Sequence, residues 1–213
     1  MRACALHWKA HCLGQNRAFV IGLTGSIGMG KSETAKLFAA QGIPVFDADK
    51  VVHDLYAGEA AAMIEAAFPG STKQGVVDRA ALAKQVTGDA KALGRLESLM
   101  HPLVAERRAQ FLEQTDAPIV LLDIPLLLET GIKADAVVVA TAPPEVQRQR
   151  VLARPGMTEE KFNALLARQM SDAQKRAQAD YLVTTDKGLE DAREQVKMIL
   201  SDVRARRVRD SGQ

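Results

Sequence analysis

The sequence predicts an α/β fold in which a parallel β-sheet is covered by helices. Past residue 17, strand-length apolar runs alternate with segments of helical period. Two of the runs, 119–122 and 136–140, are apolar throughout, as strands buried on both faces are. The first run, 19–23, leads directly into G-x-x-x-x-G-K-S at 25–32, the strand–loop–helix arrangement of a phosphate-binding loop.

Strands are expected at 19–23, 43–46, 119–123, 136–140 and 181–184. Helices are expected at 31–41, 49–56, 60–68, 79–86, 90–114, 144–153, 159–170 and 189–207. Gly42 closes the first helix, because glycine adopts the left-handed cap conformation cheaply. About seventy residues, mostly helical, separate the second strand from the third. That far exceeds the roughly dozen residues a crossover requires, so the stretch reads as an inserted subdomain able to bind a second substrate. A second, arginine-rich insertion at about 143–179 separates the fourth and fifth strands. Within it Pro155-Gly156 breaks a helix and allows a hinge. Thr158 starts the next helix, with Glu159 and Glu160 in its first turn. Phe162, Leu165, Leu166, Gln169 and Met170 recur at helical spacing and read as a packing stripe. The run Arg204, Arg206, Arg207 and Arg209 reads as a solvated tail.

Composition bounds the rest. The 213 residues, 47% hydrophobic and 25% charged, suit one globular domain with insertions. A net charge of +2 gives no case for nucleic-acid binding, and no apolar stretch approaches the roughly 18 residues of a membrane span. Residues 1–17 carry Arg2, Lys9 and Arg17 without an acid, leaving the remainder about −1. This segment is expected to be a flexible arm. It holds both cysteines, Cys4 and Cys12, which offer no disulfide framework and fit a reducing cytoplasmic setting. With His7 and His11 they spell C-x-x-H-x-x-x-H-C, but ligands so crowded on a short arm lack outer-shell support for a metal.

The phosphate loop comprises Gly25, Ser26, Ile27, Gly28, Met29, Gly30, Lys31 and Ser32, with Glu33 following. Its glycines let successive N–H groups converge on phosphate oxygens, and the helix after Gly30 contributes its positive end. Lys31 suits the β- and γ-phosphates of a nucleoside triphosphate, and the Ser32 hydroxyl suits Mg²⁺. Asp47 and Asp49 follow the second strand, at the sheet edge where ligands bind in open α/β folds. Asp49 either caps the next helix or takes a proton from an acceptor hydroxyl, and the two roles are compatible. Asp123, closing the third strand, suits Mg²⁺ or its water; the plainer alternative is a strand terminator. Glu129, after three leucines, marks either a site or a helix surface. Arg150 and Arg154, four apart, share a helical face that either neutralises a transferring phosphoryl group or is simply solvated, the commoner fate of surface arginine, while Arg148 points away.

No guanine-reading N-K-x-D occurs. The loop TGSIGMGKS at 24–32, Asp47-Ala-Asp49 after GIPVF, His101-Pro-Leu-Val104, the run DIPLLLE at 123–129, Arg150 with Arg154, and ADYLV at 179–183 together resemble the dephospho-coenzyme A kinases over about residues 18–203. The resemblance implies a three-layer α/β/α P-loop kinase core with a five-stranded parallel sheet, an inserted helical substrate domain and a helical lid. The core then comprises 18–48, 117–142 and 179–208, the CoA-binding part about 49–116, and the lid about 143–178. It implies phosphorylation of the ribose 3′-hydroxyl of dephospho-CoA by ATP with Mg²⁺. Asp49 is then the general base, with Lys31 and Arg150 also catalytic. Gly25 to Glu33, Arg150 and Arg154 are on the ATP side, Ser32 and Asp123 on the metal. Asp47, Asp49, His101, Pro125, Leu126 and Glu129 are on the acceptor side. No nucleic-acid or membrane partner is implied, and the protein is a monomer or weak homo-oligomer in the cytoplasm. After Ala179-Asp180 the family often carries an asparagine, where this chain reads TTDKG at 184–188. Another small-metabolite kinase on the same core, or a non-catalytic nucleotide-dependent regulator, is the alternative.

Overall fold

The computed structural model describes residues 17–211. Residues 1–16 of the arm, with the cysteine–histidine pattern at positions 4–12, thus lie outside the described residues. In chain order the elements are β1 (Phe19–Thr24), α1 (Lys31–Ala40), β2 (Val45–Asp47), α2 (Ala48–Tyr56), α3 (Ala60–Ala67), β3 (Thr72–Lys73), β4 (Val76–Val77) and α4 (Arg79–Val86). There follow α5 (Ala90–Gln114), β5 (Ile119–Asp123), β6 (Ala136–Thr141), α6 (Pro144–Leu152), α7 (Glu159–Leu166), α8 (Asp172–Ala177), β7 (Tyr181–Thr184) and α9 (Leu189–Ser211).

Five strands form one sheet in the order β2-β5-β1-β6-β7. β1 lies at its centre, parallel to β5 (Ile21 opposite Leu121) and to β6 (Leu23 opposite Val138), and β7 continues the parallel set beside β6. The fully apolar runs of β5 and β6 are there because both faces of these strands are covered. On one face Ile21, Leu23, Leu121 and Val138 pack with Leu37 and Phe38 of α1 and with Val196, Leu200 and Val203 of α9. Each such side chain contributes roughly 1.5–3 kcal/mol when fully removed from water.

The chain divides into two compact units, Met1–Val45 with Asp116–Gln213, and Phe46–Thr115. The second has its own apolar cluster, in which Leu55, Ile64, Phe68, Leu82, Leu96 and Met100 are buried. Three of its four helices start on aspartates: Asp47 caps α2, Asp78 caps α4 and Asp89 caps α5, while α3 has no side-chain cap. α5 runs 25 residues with Pro102 inside it.

Several expected boundaries move. β2 starts at Val45 rather than 43, because Gly42 (φ 78°) reverses the chain and the Ile43 amide donates back to Phe38 at 3.3 Å. The expected helix 159–170 stops at Leu166, and a further helix, α8, follows. Its start is a capping box, with Ser171 and Gln174 exchanging side-chain and backbone bonds. The β3–β4 hairpin was not expected from the sequence. Its two-residue turn, Gln74-Gly75, takes positive φ at both positions (53° and 78°).

Candidate active site

The phosphate loop joins β1 to α1 at the carboxyl end of the sheet. Its curl is a turn closed by the Met29 amide donating to the Ser26 carbonyl at 3.1 Å. At Gly25 a Cβ would stand 2.8 Å from the Ala140 carbonyl oxygen, a backbone atom that cannot yield. Gly30 caps α1 with φ 86°, and a Cβ there would also meet Thr185 at 2.9 Å. Only glycine fits either place. No side chain caps α1. Its first-turn amides, with the positive end of the helix, are therefore left open to receive an anion.

Lys31 and Asp123 meet at this mouth. The ammonium lies 2.7 Å from the Asp123 carboxylate, with the two side chains only 12% and 5% exposed. Apolar β5 delivers the carboxylate and the first turn of α1 delivers the lysine. Ser32, one residue on, is exposed. A hydroxyl and a carboxylate are hard oxygen donors, the chemistry that Mg²⁺ selects.

Around the loop stand Arg150 and groups that the sequence did not assign to the site. Gln147 of α6 donates to the Ile27 carbonyl at 2.8 Å, and Gln169 accepts from the Ile27 amide at 3.2 Å. The expectation that Gln169 belongs to a packing stripe therefore needs correcting: Phe162 is buried, but Gln169 is bonded to the phosphate loop. Arg150 donates to the Thr185 hydroxyl at 2.8 Å and the Thr185 carbonyl at 2.6 Å, and lies 3.5 Å from the Gly28 carbonyl. Thr185 in turn donates to the Met29 carbonyl at 3.0 Å. The TTDKG segment thus carries the partner of Arg150. Arg154 does not extend the face of Arg150, because α6 ends at Leu152 and Arg154 is exposed in the turn beyond it. Arg148 pairs with Glu159.

The turn after β5 is tied inward. Lys175 of α8 is fully buried and meets Glu129 at 2.8 Å. Its ammonium also reaches the Pro125 carbonyl at 3.3 Å and the Thr24 hydroxyl at 3.5 Å, and Thr24 donates to the same carbonyl. Glu129 further accepts from the Met170 amide at 2.9 Å. Burial alone would raise the Glu129 carboxyl. The Lys175 and Met170 hydrogen bonds outweigh it and hold the group below its ordinary value. Leu126 is exposed. No sequence signal marks Lys175, since a lysine in a short polar helix normally faces water.

Three expected site residues lie in the second unit. Asp47 accepts from the Lys50 amide at 2.9 Å, so it, and not Asp49, is the helix cap. Asp49 is exposed in the first turn of α2, its carboxylate not spent on capping. His101 is exposed on α5 beside Pro102.

A family model for dephospho-CoA kinase matches residues 19–191. The dephospho-CoA kinase of Mesorhizobium japonicum is 56% identical over 193 residues, covering 88% of this chain and 98% of that protein. That of Agrobacterium fabrum is 55% identical over 191 residues, covering 87% and 98%. A crystal structure of a Thermus thermophilus protein superposes with a TM-score of 0.78 at 34% identity, over 87% of this chain and 98% of that one. Shikimate kinase from Acinetobacter baumannii shares the fold, with a TM-score of 0.52 at 18% identity over 90% and 96%. By the family model and by these relatives, the chain belongs to the dephospho-CoA kinase family.

Proposed function

We propose that this chain transfers the γ-phosphoryl group of ATP to the ribose 3′-hydroxyl of dephospho-CoA, giving coenzyme A and ADP, the last step of coenzyme A synthesis. The observation that carries this reading is the Lys31–Asp123 pair at the mouth of the glycine loop, beside the uncapped start of α1, in a chain of this family.

The division of labour follows from residue chemistry. The first-turn amides of α1 and the ammonium of Lys31 offset the charge of the triphosphate. Ser32 and Asp123 would hold Mg²⁺, which when bound supplies further neutralisation at the β- and γ-phosphates. Asp49 accepts the proton of the ribose hydroxyl as that oxygen attacks phosphorus; the bond to the ADP oxygen breaks and the electron pair leaves with ADP. Arg150 contributes positive charge on the ATP side. Asp47 and His101 serve recognition of the acceptor. A cytoplasmic location accompanies this activity.

The test is ADP formation with and without dephospho-CoA, with the product identified by mass. Acceptor-dependent ADP and a product heavier by one phosphoryl group are expected. ADP release indifferent to dephospho-CoA contradicts the reading. In the same assay Asp49→Asn should lower kcat by roughly 10²–10⁴ while ATP affinity stays near that of the parent protein. Near-normal turnover removes Asp49 from its role and leaves the activity standing.

A further inference from the structure

The phosphate loop turns at Ile27-Gly28, and a turn of this kind has a choice that its own residues do not make. The peptide plane between Ile27 and Gly28 can face either way, and because the unit is planar and trans, its carbonyl and its N–H point in opposite directions. Whichever way the Ile27 carbonyl is held, the Gly28 amide is aimed the other way. The same holds for the preceding plane, where the Ile27 amide opposes the Ser26 carbonyl. Gly28 has φ 79° and so offers no steric preference of its own.

Both planes are held from outside the loop, each by a glutamine. Gln147, only 6% exposed, donates to the Ile27 carbonyl at 2.8 Å. Gln169 accepts from the Ile27 amide at 3.2 Å. The two residues lie within the arginine-rich insertion, one on α6 before the Pro155-Gly156 break and one after α7. The segment bearing Gln169 is seated by the bond from the Met170 amide to Glu129, whose carboxylate is fixed by the buried Lys175. With the Ile27 amide turned to Gln169, the Ser26 carbonyl faces the Met29 amide that it accepts from.

We infer that Gln147 and Gln169 are positioning residues for ATP: Gln147, through the Ile27–Gly28 plane, aims the Gly28 amide into the phosphate nest, and Gln169, through the Ser26–Ile27 plane, holds the turn that presents it. This rests on the reading that the loop holds ATP. It adds that the nest is completed by side chains 120 and 142 residues distant in sequence. No chemistry on substrate is assigned to either glutamine.

The experiment uses the full chain with Gln147→Met and Gln169→Met, which keep shape and remove the polar group. Steady-state constants for ATP and dephospho-CoA and direct ATP binding by calorimetry are measured alongside melting temperature. The expected result is a rise of about tenfold in Kd and KM for ATP, the order set by leaving a buried polar group unpaired, with KM for dephospho-CoA moving less than about twofold. Should Gln147→Met fail to fold, the half-buried Gln169 decides alone. ATP constants within about twofold of the parent in every folded variant, or equal losses for both substrates, overturn the inference and leave the kinase reading intact. Failure of the parent protein to bind ATP at all overturns both.

Discussion

At the residue scale, the ion pairs of the first unit carry the strongest electrostatic consequences. Lys175 has no water to fall back on, and its charge is compensated by Glu129, whose side chain remains 19% exposed. Removing one partner of such a pair leaves a buried charge alone. Glu129→Gln is therefore expected to cost about 3 kcal/mol at neutral pH, the lower end of the range because the carboxylate is partly wet. The sign of the pH dependence follows from the direction of the shift. The Glu129 carboxyl is lowered from its usual 4.5 in the folded chain. Its contribution is then complete above about pH 4.5 and is lost as pH falls through the lower folded value. Urea titrations of parent and variant between pH 7 and pH 3 check this: the difference in unfolding free energy should be constant at the top and shrink toward the acid end. A difference that stays flat to pH 3 contradicts the assignment.

At the element scale, α1 is what the phosphate loop depends on, and Gly30 is its weakest joint. The residue combines φ 86° with a Cβ position 2.9 Å from Thr185, so alanine meets both backbone strain and a side chain already bonded to Arg150. Gly30→Ala is expected to lower stability by about 1–3 kcal/mol. ATP affinity should fall with it, because the strain is relieved only by moving the start of α1. A variant with unchanged melting temperature and unchanged ATP affinity would show that the loop tolerates a different curl. Gly42 shows how a signal in one element misplaces the next. It closes α1 as its residue type announced, yet the same reversal carries Ile43 back onto Phe38 and delays β2 by two residues. α8 starts on the capping box of Ser171 and Gln174, but its six residues are too few to show helical periodicity in the sequence.

At the scale of the whole molecule, the two compact units differ in what they contribute. The unit with the central sheet holds the glycine loop, Lys31, Asp123 and Arg150; the other holds Asp47, Asp49 and His101. ATP binding is linked to folding of the first unit through mass action. At a hundredfold excess of ATP over Kd, about 2.7 kcal/mol of stabilisation is expected, read as a rising melting temperature. Lys31→Ala should lose most of that dependence, because the triphosphate loses the ammonium that balances it. An unaltered ATP response in the variant removes Lys31 from triphosphate binding. Among the described residues no helix is long and apolar enough to cross a membrane.

The α/β class, the five strands, the glycine loop and the family were legible in the chain because each is written in neighbouring residues. Strand and helix periods span a few positions, and G-x-x-x-x-G-K-S places its donors within one turn. What only the tertiary structure decided is which distant side chains complete the loop. Lys175 and Thr24 are 151 residues apart, Gln169 and Ile27 are 142 apart, and Arg150 finds Thr185 across 35. A buried lysine and a glutamine in an apolar stripe carry no local mark of their partners. Those partners are chosen by strand order, which brings the ends of β1, β5, β6 and β7 to one edge of the sheet, and strand order is set by burying apolar faces together rather than by any single residue.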